Sequence, residues 1–269
     1  MKEEQINQAI SDYLLIANTT YALLIDGKWG CGKTYYWNNT ISPEIISKTN
    51  SINDYKKDKK YKSIYISLYG IENVEEISKR IFLELLPKTG ESKAAGILST
   101  IGSKMVSVAS NFFSLGDLNL DIEDIKNIYD LKNTVITFDD IERITGDVTI
   151  LEKILGFINY LSEHDGIKII LLTNENELKK KFGDNWLKTK EKIISQTLPF
   201  KIAYDDIIVN LIESFSEFQK YYEFLKNNIE IIKKAFYKSE TDNLRTLKYS
   251  LERFFKLFRL FKLKMNWIL

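Results

Sequence analysis

Apolar positions along this chain follow two different periods, and the switch between them outlines the fold. Ile6, Ala9, Ile10, Tyr13, Leu14 and Ala17 recur at three- and four-residue spacing, which predicts an amphipathic helix over residues 3–17. Residues 21–25 form a short continuous apolar run that ends at Asp26-Gly27, the pattern of a buried strand. Further strands are expected at 63–68, 134–138, 167–173 and 195–203, with helices over 74–86 and 148–162 between them. The second of these helices places Ile150, Ile154, Phe157, Ile158 and Leu161 on one face. The near-continuous apolar run at 167–173 fits a strand covered on both sides. Strands separated by helices long enough to cross over imply an α/β fold, a mainly parallel sheet between two helical layers. From Asp205 onward only the helical period remains, so the chain divides into an α/β domain, 1–204, and a C-terminal all-α lobe, 205–269.

Polar stretches interrupt this scheme twice. Residues 48–62 carry Lys56, Lys57, Lys59, Lys60 and Lys62 and read as a solvated loop. Residues 94–115 have roughly the length of a membrane span. They nevertheless contain Ser99, Thr100, Ser103, Lys104, Ser107, Ser110, Asn111 and Ser114. A lysine near the middle of a span costs about 3 kcal/mol, so the expectation is a polar helical insert, at about 88–130, and no span.

Composition adds limits. The 269 residues carry a net charge of +1, so there is no direct nucleic-acid signal. Any task needing a guanidinium falls on Arg80, Arg143, Arg245, Arg253 or Arg259. The single cysteine, Cys31, has no disulfide partner within the chain. That suits a reducing, cytoplasmic compartment, and Lys2-Glu3-Glu4-Gln5 does not resemble a signal peptide. His164, the only histidine, stands at a helix end and reads as a cap. No nuclease, protease or deaminase constellation is visible.

The chemistry concentrates after the first strand. Gly27-Lys28-Trp29-Gly30-Cys31-Gly32-Lys33-Thr34, followed by Tyr35, fits the phosphate-loop pattern. Glycines let backbone N–H groups approach a polyphosphate, and a helix start adds positive potential. Lys33 offers a point charge to the terminal phosphates, and the Thr34 hydroxyl can bind Mg²⁺. The strand at 134–138 ends in Asp139-Asp140. Carboxylates there project into the crevice where ligands of parallel sheets bind; Asp139 is placed to hold Mg²⁺ and Asp140 to polarise a water. Asn174, after the next strand, is either a water-orienting amide or a helix N-cap. Arg245, early in a lobe helix, either reaches the phosphates or forms a surface ion pair. Arg143 acts in its own site, acts in a neighbouring subunit's site, or pairs with Glu142. The final helix repeats Arg253, Lys256, Arg259 and Lys262 every three residues, read as standing opposite a stripe of phenylalanines and leucines. Such a helix packs on its own domain, docks a partner or lies on an anionic membrane.

Taken together these residues resemble the KAP family of P-loop NTPases, within the additional-strand class related to AAA+ and STAND ATPases. The likeness rests on Gly27-Lys-Trp-Gly-Cys-Gly-Lys-Thr34, on Phe138-Asp-Asp-Ile-Glu-Arg143, on the run from Leu155 to Glu175, on Lys190-Glu-Lys-Ile-Ile-Ser-Gln-Thr197 and on Asn243-Leu-Arg245. These segments cover residues 21–39 and 134–250. The resemblance implies a three-layer αβα P-loop domain that binds and hydrolyses ATP with Mg²⁺ as a switch, working with a protein partner or as a homo-oligomer. It carries Lys33 and Thr34 over to nucleotide and Mg²⁺ binding, Asp139 to the magnesium position, Asp140 to the position that activates water, and Asn174 and Arg245 to the two sensor positions. Two departures stand out: the insert is too polar for the paired spans of many relatives, and Leu244 replaces the proline of the usual Asn-Pro-Arg. A bacterial role in excluding phage or mobile elements is implied by the resemblance only. The competing expectation is a nucleotide-binding module that does not hydrolyse and instead docks a partner or membrane.

Overall fold

The computed structural model describes residues 3–16, 19–43, 61–86, 121–164, 166–201, 204–241 and 243–265. The lysine-rich stretch at 48–60, the 94–115 segment and the last four residues lie outside that set.

Among the described residues five strands form one sheet: β1 (Ala22–Asp26), β2 (Lys62–Ser67), β3 (Thr134–Asp139), β4 (Lys168–Thr173) and β5 (Ile194–Pro199). Their order is β2-β3-β4-β1-β5, and each pairing is parallel. The expected parallel sheet is therefore borne out, with β4 standing between the strand that leads into the glycine loop and the strand that ends in the acids. β5 stops at Pro199, short of the expected 203, because Pro199 pairs with Asp26, the last residue of its neighbour β1.

Alternation along each strand divides the core in two. Leu24, Ile66, Phe138 and Leu171 face one side, where they meet α3 (Val74–Leu85), α4 (Ile122–Ile128), α5 (Val148–Glu163), α6 (Glu175–Phe182) and α7 (Asp184–Ile193). Leu23, Ile25, Val135, Ile170 and Leu172 face the other side. There they meet α1 (Glu3–Leu15) and the α2 segment (Lys33–Tyr36), which widens into a π-helical turn (Trp37–Ile41). Burying each such side chain contributes about 1.5–3 kcal/mol. Three layers follow directly from the period-2 pattern. His164 ends α5 as its C-cap, as its position in the sequence suggests.

α1 is also held by polar bonds. The buried Lys168 amine donates to the Tyr13 carbonyl (3.1 Å), to Thr19 Oγ1 (2.9 Å) and to the Ile16 carbonyl. Burial pulls that amine down to about 8, while the three acceptors and the Tyr13 ring face favour its charge.

The remaining helices, α8 (Tyr204–Glu213), α9 (Gln219–Asn227), α10 (Ile229–Lys238) and α11 (Leu244–Met265), enclose their own core around Ile208, Tyr221 and Phe236. The basic helix is α11. Its Leu247, Leu251, Phe255 and Phe258 pack onto the lobe. Phe254, Leu257 and Leu260 are exposed beside Arg253, Lys256 and Arg259. The cations thus do not stand simply opposite one apolar stripe, because phenylalanines and leucines occupy two stripes and the lobe covers one. Among the described residues no helix is long and apolar enough to cross a membrane.

Candidate phosphate-binding site

The C-terminal ends of β1, β3 and β4 meet at one edge of the sheet, where the loop of residues 27–32 leaves β1. A glycine is required at two of its positions. A Cβ on Gly27 would lie 2.9 Å from Cys31 Sγ. Gly30 has φ of +76°, and a Cβ there would fall 2.1 Å from Asn243 Oδ1. The crowding at Gly30 comes from the lobe: Leu244 N–H donates to the Gly30 carbonyl at 2.9 Å, while Asn243 Oδ1 caps α11 by accepting from the N–H groups of Arg245 and Thr246. Gly30→Ala is accordingly expected to cost about 2 kcal/mol and lower Tm by roughly 4–8 °C. Gly156→Ala, inside α5 with open space where its Cβ would lie, should move Tm upward, since alanine gains about 1 kcal/mol in a helix. Differential scanning calorimetry checks both.

Lys33 and Thr34 open α2. The Lys33 amine, nearly buried, donates to the carbonyls of Gly27 (2.5 Å) and Lys28 (3.1 Å). Thr34 Oγ1 donates to Asp139 Oδ2 at 2.6 Å, so the loop and the acid strand touch across β4. Asp139, 3% exposed, also accepts from Tyr65 OH (2.8 Å) and from the Asp140 N–H (2.8 Å). Burial raises its carboxyl above the ordinary range; the Thr34 and Tyr65 hydroxyls oppose that rise and the Asp140 charge adds to it. Burial and the Asp139 carboxylate together push the Tyr65 hydroxyl far up, so it stays a donor.

Asp140 adopts φ of 61° and ψ of 34°, uncommon for a residue with a side chain. Its carboxylate accepts from Ser67 Oγ at 3.1 Å and lies 3.0 Å from Arg143 Nε. The arginine contact is charge to charge, because the Nε–H is not aimed along a hydrogen-bonding line. Arg143 thus meets Asp140 and not Glu142. Glu142 is buried and accepts from Trp29 Nε1 (2.6 Å) and from Thr173 Oγ1 (2.7 Å).

A cavity of about 540 Å³ opens over these groups. The loop and α2 contribute Trp29, Gly30, Gly32, Lys33, Thr34 and Tyr35, and the end of β3 contributes Asp139, Asp140, Glu142 and Arg143. The lobe closes it with Asn210 from α8, with Ser214 just after that helix, and with Arg245, Lys248 and Tyr249 from α11. Arg245 therefore joins the loop residues at one cavity. Gly27, Lys28 and Cys31 do not line it, and Cys31 is buried beneath the loop. Asn174 is also outside the lining, 7% exposed, and heads α6 without a side-chain capping bond; the Glu175 N–H instead bonds Asp26 Oδ1 at 2.8 Å.

The donor set fits a magnesium-bound polyphosphate: a hydroxyl and a carboxylate in contact are hard oxygen ligands, and a lysine amine and glycine amides stand beside them. Sequence reasoning missed Tyr65 and Ser67. Their signal is the alternation in Ser63-Ile-Tyr65-Ile-Ser67, which points a polar side chain at the site edge on every second residue. It also missed the bond between Trp29 and Glu142, which no local pattern encodes.

Comparison with known proteins points to a family. The KAP family P-loop domain matches residues 3–262. Nothing matches among curated proteins compared by sequence. Among solved structures, the Aeropyrum pernix ORC1 protein in complex with DNA is similar with a TM-score of 0.45 and 12% identity, over 93% of this chain and 64% of ORC1. The chain thus spans less than two thirds of that protein. An inward-facing metal-chelate type ABC transporter is similar with a TM-score of 0.30 and 13% identity, over 61% of this chain and 66% of the transporter. The glycine loop against β1, the acids closing β3 and the match across nearly the whole length lead to one conclusion: this chain belongs to the KAP family of P-loop domains.

Proposed function

We propose that the chain binds Mg²⁺-ATP in the cavity between the 27–34 loop and the lobe and hydrolyses it, acting as a conformational or assembly switch. The observation that carries this reading is the contact of Thr34 Oγ1 with Asp139 Oδ2 at 2.6 Å, which brings two oxygen ligands for a divalent cation beside the Lys33 amine. Lys33 and the loop amides bind the phosphates, and Thr34 and Asp139 hold Mg²⁺. When bound there, the cation would supply neutralisation of charge on the phosphoryl oxygens. Asp140 lines the same cavity and orients the attacking water, accepting its proton. Arg245 and Lys248 come from the lobe, so charge on the phosphates would bias where the lobe sits. Asn174 is assigned no contact. A part in bacterial defence against phage or mobile elements is proposed from the family resemblance alone.

One observation favours a second reading, a nucleotide-binding module without turnover. The Asp140 carboxylate is already engaged by Arg143 and Ser67, and its side chain is one methylene shorter than glutamate. Steady-state phosphate release separates the two. For the switch, the parent turns over and Asp140→Asn loses turnover by on the order of a hundredfold or more while still binding ATP. A parent that binds ATP without releasing phosphate establishes the module instead.

A further inference from the structure

Glu142 has no place in that reading, yet it lies in the cavity wall and is almost fully buried. A carboxylate taken out of water is costly unless its oxygens are hydrogen-bonded. Here each oxygen has a donor, and the two donors come from different parts of the chain. Trp29 Nε1, from the glycine loop, donates to Oε1 at 2.6 Å, and Thr173 Oγ1, from the end of β4, donates to Oε2 at 2.7 Å.

The contacts continue outward from the indole. Arg143 Cζ lies 5.2 Å from the Trp29 ring and 5.7 Å from the Tyr69 ring, so the guanidinium is held between two aromatic faces. Its Nε stands 3.0 Å from Asp140 Oδ1. The other Asp140 oxygen accepts from Ser67, at 3.1 Å. One run of side chains thus joins Thr173, Glu142, Trp29, Arg143, Asp140 and Ser67.

Without its N–H bond the indole has little to fix it. Trp29 belongs to a loop with glycines at 27, 30 and 32, and the residue is 42% exposed. We infer that Glu142 is a positioning residue of this site: it fixes the Trp29 indole, the indole cages Arg143, and Arg143 holds the Asp140 carboxylate in its left-handed backbone position. The same contacts assign Arg143 to its own site in this state. The inference rests on the hydrolytic reading for its kinetic consequence, but its structural claim holds without nucleotide.

The experiment uses the full chain in four forms: parent, Glu142→Ala, Glu142→Gln and Trp29→Phe. Acrylamide quenching of indole fluorescence is measured without nucleotide, and kcat and KM for phosphate release are measured with Mg²⁺-ATP. Trp37 and Trp186 are fully buried, and subtracting the Trp29→Phe signal isolates Trp29. Glu142→Ala is expected to raise the Trp29 quenching constant. Its kcat should fall by on the order of a hundredfold, with KM unchanged. Glutamine keeps an acceptor for the indole and a group for Thr173, so Glu142→Gln should restore both readouts most of the way. If the alanine variant does not fold, Trp29→Phe carries the kinetic test: kcat falls with KM unchanged, and adding Glu142→Gln lowers it no further. Unchanged quenching in Glu142→Ala overturns the inference. So does a glutamine variant as impaired as alanine, because the charge and not the hydrogen bonds would then matter. A parent that binds no nucleotide would sink the hydrolytic reading and leave the quenching result readable on its own.

Discussion

Lys33→Ala should lower ATP affinity by at least about a hundredfold, on the order of 3 kcal/mol, measured by equilibrium binding. The amine is nearly buried at the head of α2 and bonds only main-chain oxygens of its own loop, Gly27 O and Lys28 O, among the described contacts. Those carbonyls gain little from a full positive charge compared with a triphosphate, so the charge is available to a ligand. Lys33→Arg should also bind poorly, because the planar guanidinium needs more room than the loop leaves and delivers its charge further out. Both variants should unfold within a few degrees of the parent, because neither core layer depends on the amine.

Asp139→Asn should separate stability from activity. Its folded-state carboxyl lies above the value of 3.8 that it has when exposed, chiefly because it is buried. Between those two values the folded state holds the extra proton. The contribution of this group therefore falls as pH rises through that window, and the penalty is complete above the folded-state value. Asparagine removes the penalty. The hydroxyls of Thr34 and Tyr65, which now donate to Oδ2, can turn and accept from an amide. Without nucleotide, Tm at pH 7 should rise by about 2–4 °C, corresponding to roughly 1 kcal/mol, and the gain should vanish at acid pH where Asp139 is itself protonated. Magnesium-dependent phosphate release should meanwhile fall by on the order of a hundredfold or more. Calorimetry at the two pH values, beside a phosphate assay, measures both halves.

Much of this architecture was legible in the sequence because it is local. Apolar runs of strand length and three- and four-residue periods name the elements, and a glycine loop between a strand and a helix has few other uses. Asp139 was legible for the same reason, as the polar end of an apolar strand. What escaped was set by pairing across the sheet. Ser67 reaches Asp140 because β2 and β3 run in parallel with Ser67 opposite Asp139, a register that no stretch of sequence states. Asn174 shows a related limit of local reading. Its place after β4 suggests a part in the site, yet Thr173 is the residue there that reaches a cavity wall, through Glu142. The alternation of a strand makes neighbours face opposite ways, so a shift of one residue exchanges the two roles. Arg143 was undecidable in sequence because nothing local chooses between its own site, a neighbouring subunit's site and Glu142, and only the fold brings Trp29 and Tyr69 to its faces.

The most direct measurement is equilibrium dialysis of the purified parent against radiolabelled ATP and GTP, with and without Mg²⁺. The account predicts that a triphosphate is retained, more tightly with Mg²⁺ than without, and that Asp139→Asn removes the magnesium dependence. Folded parent protein that retains neither nucleotide in the presence of Mg²⁺ would contradict it.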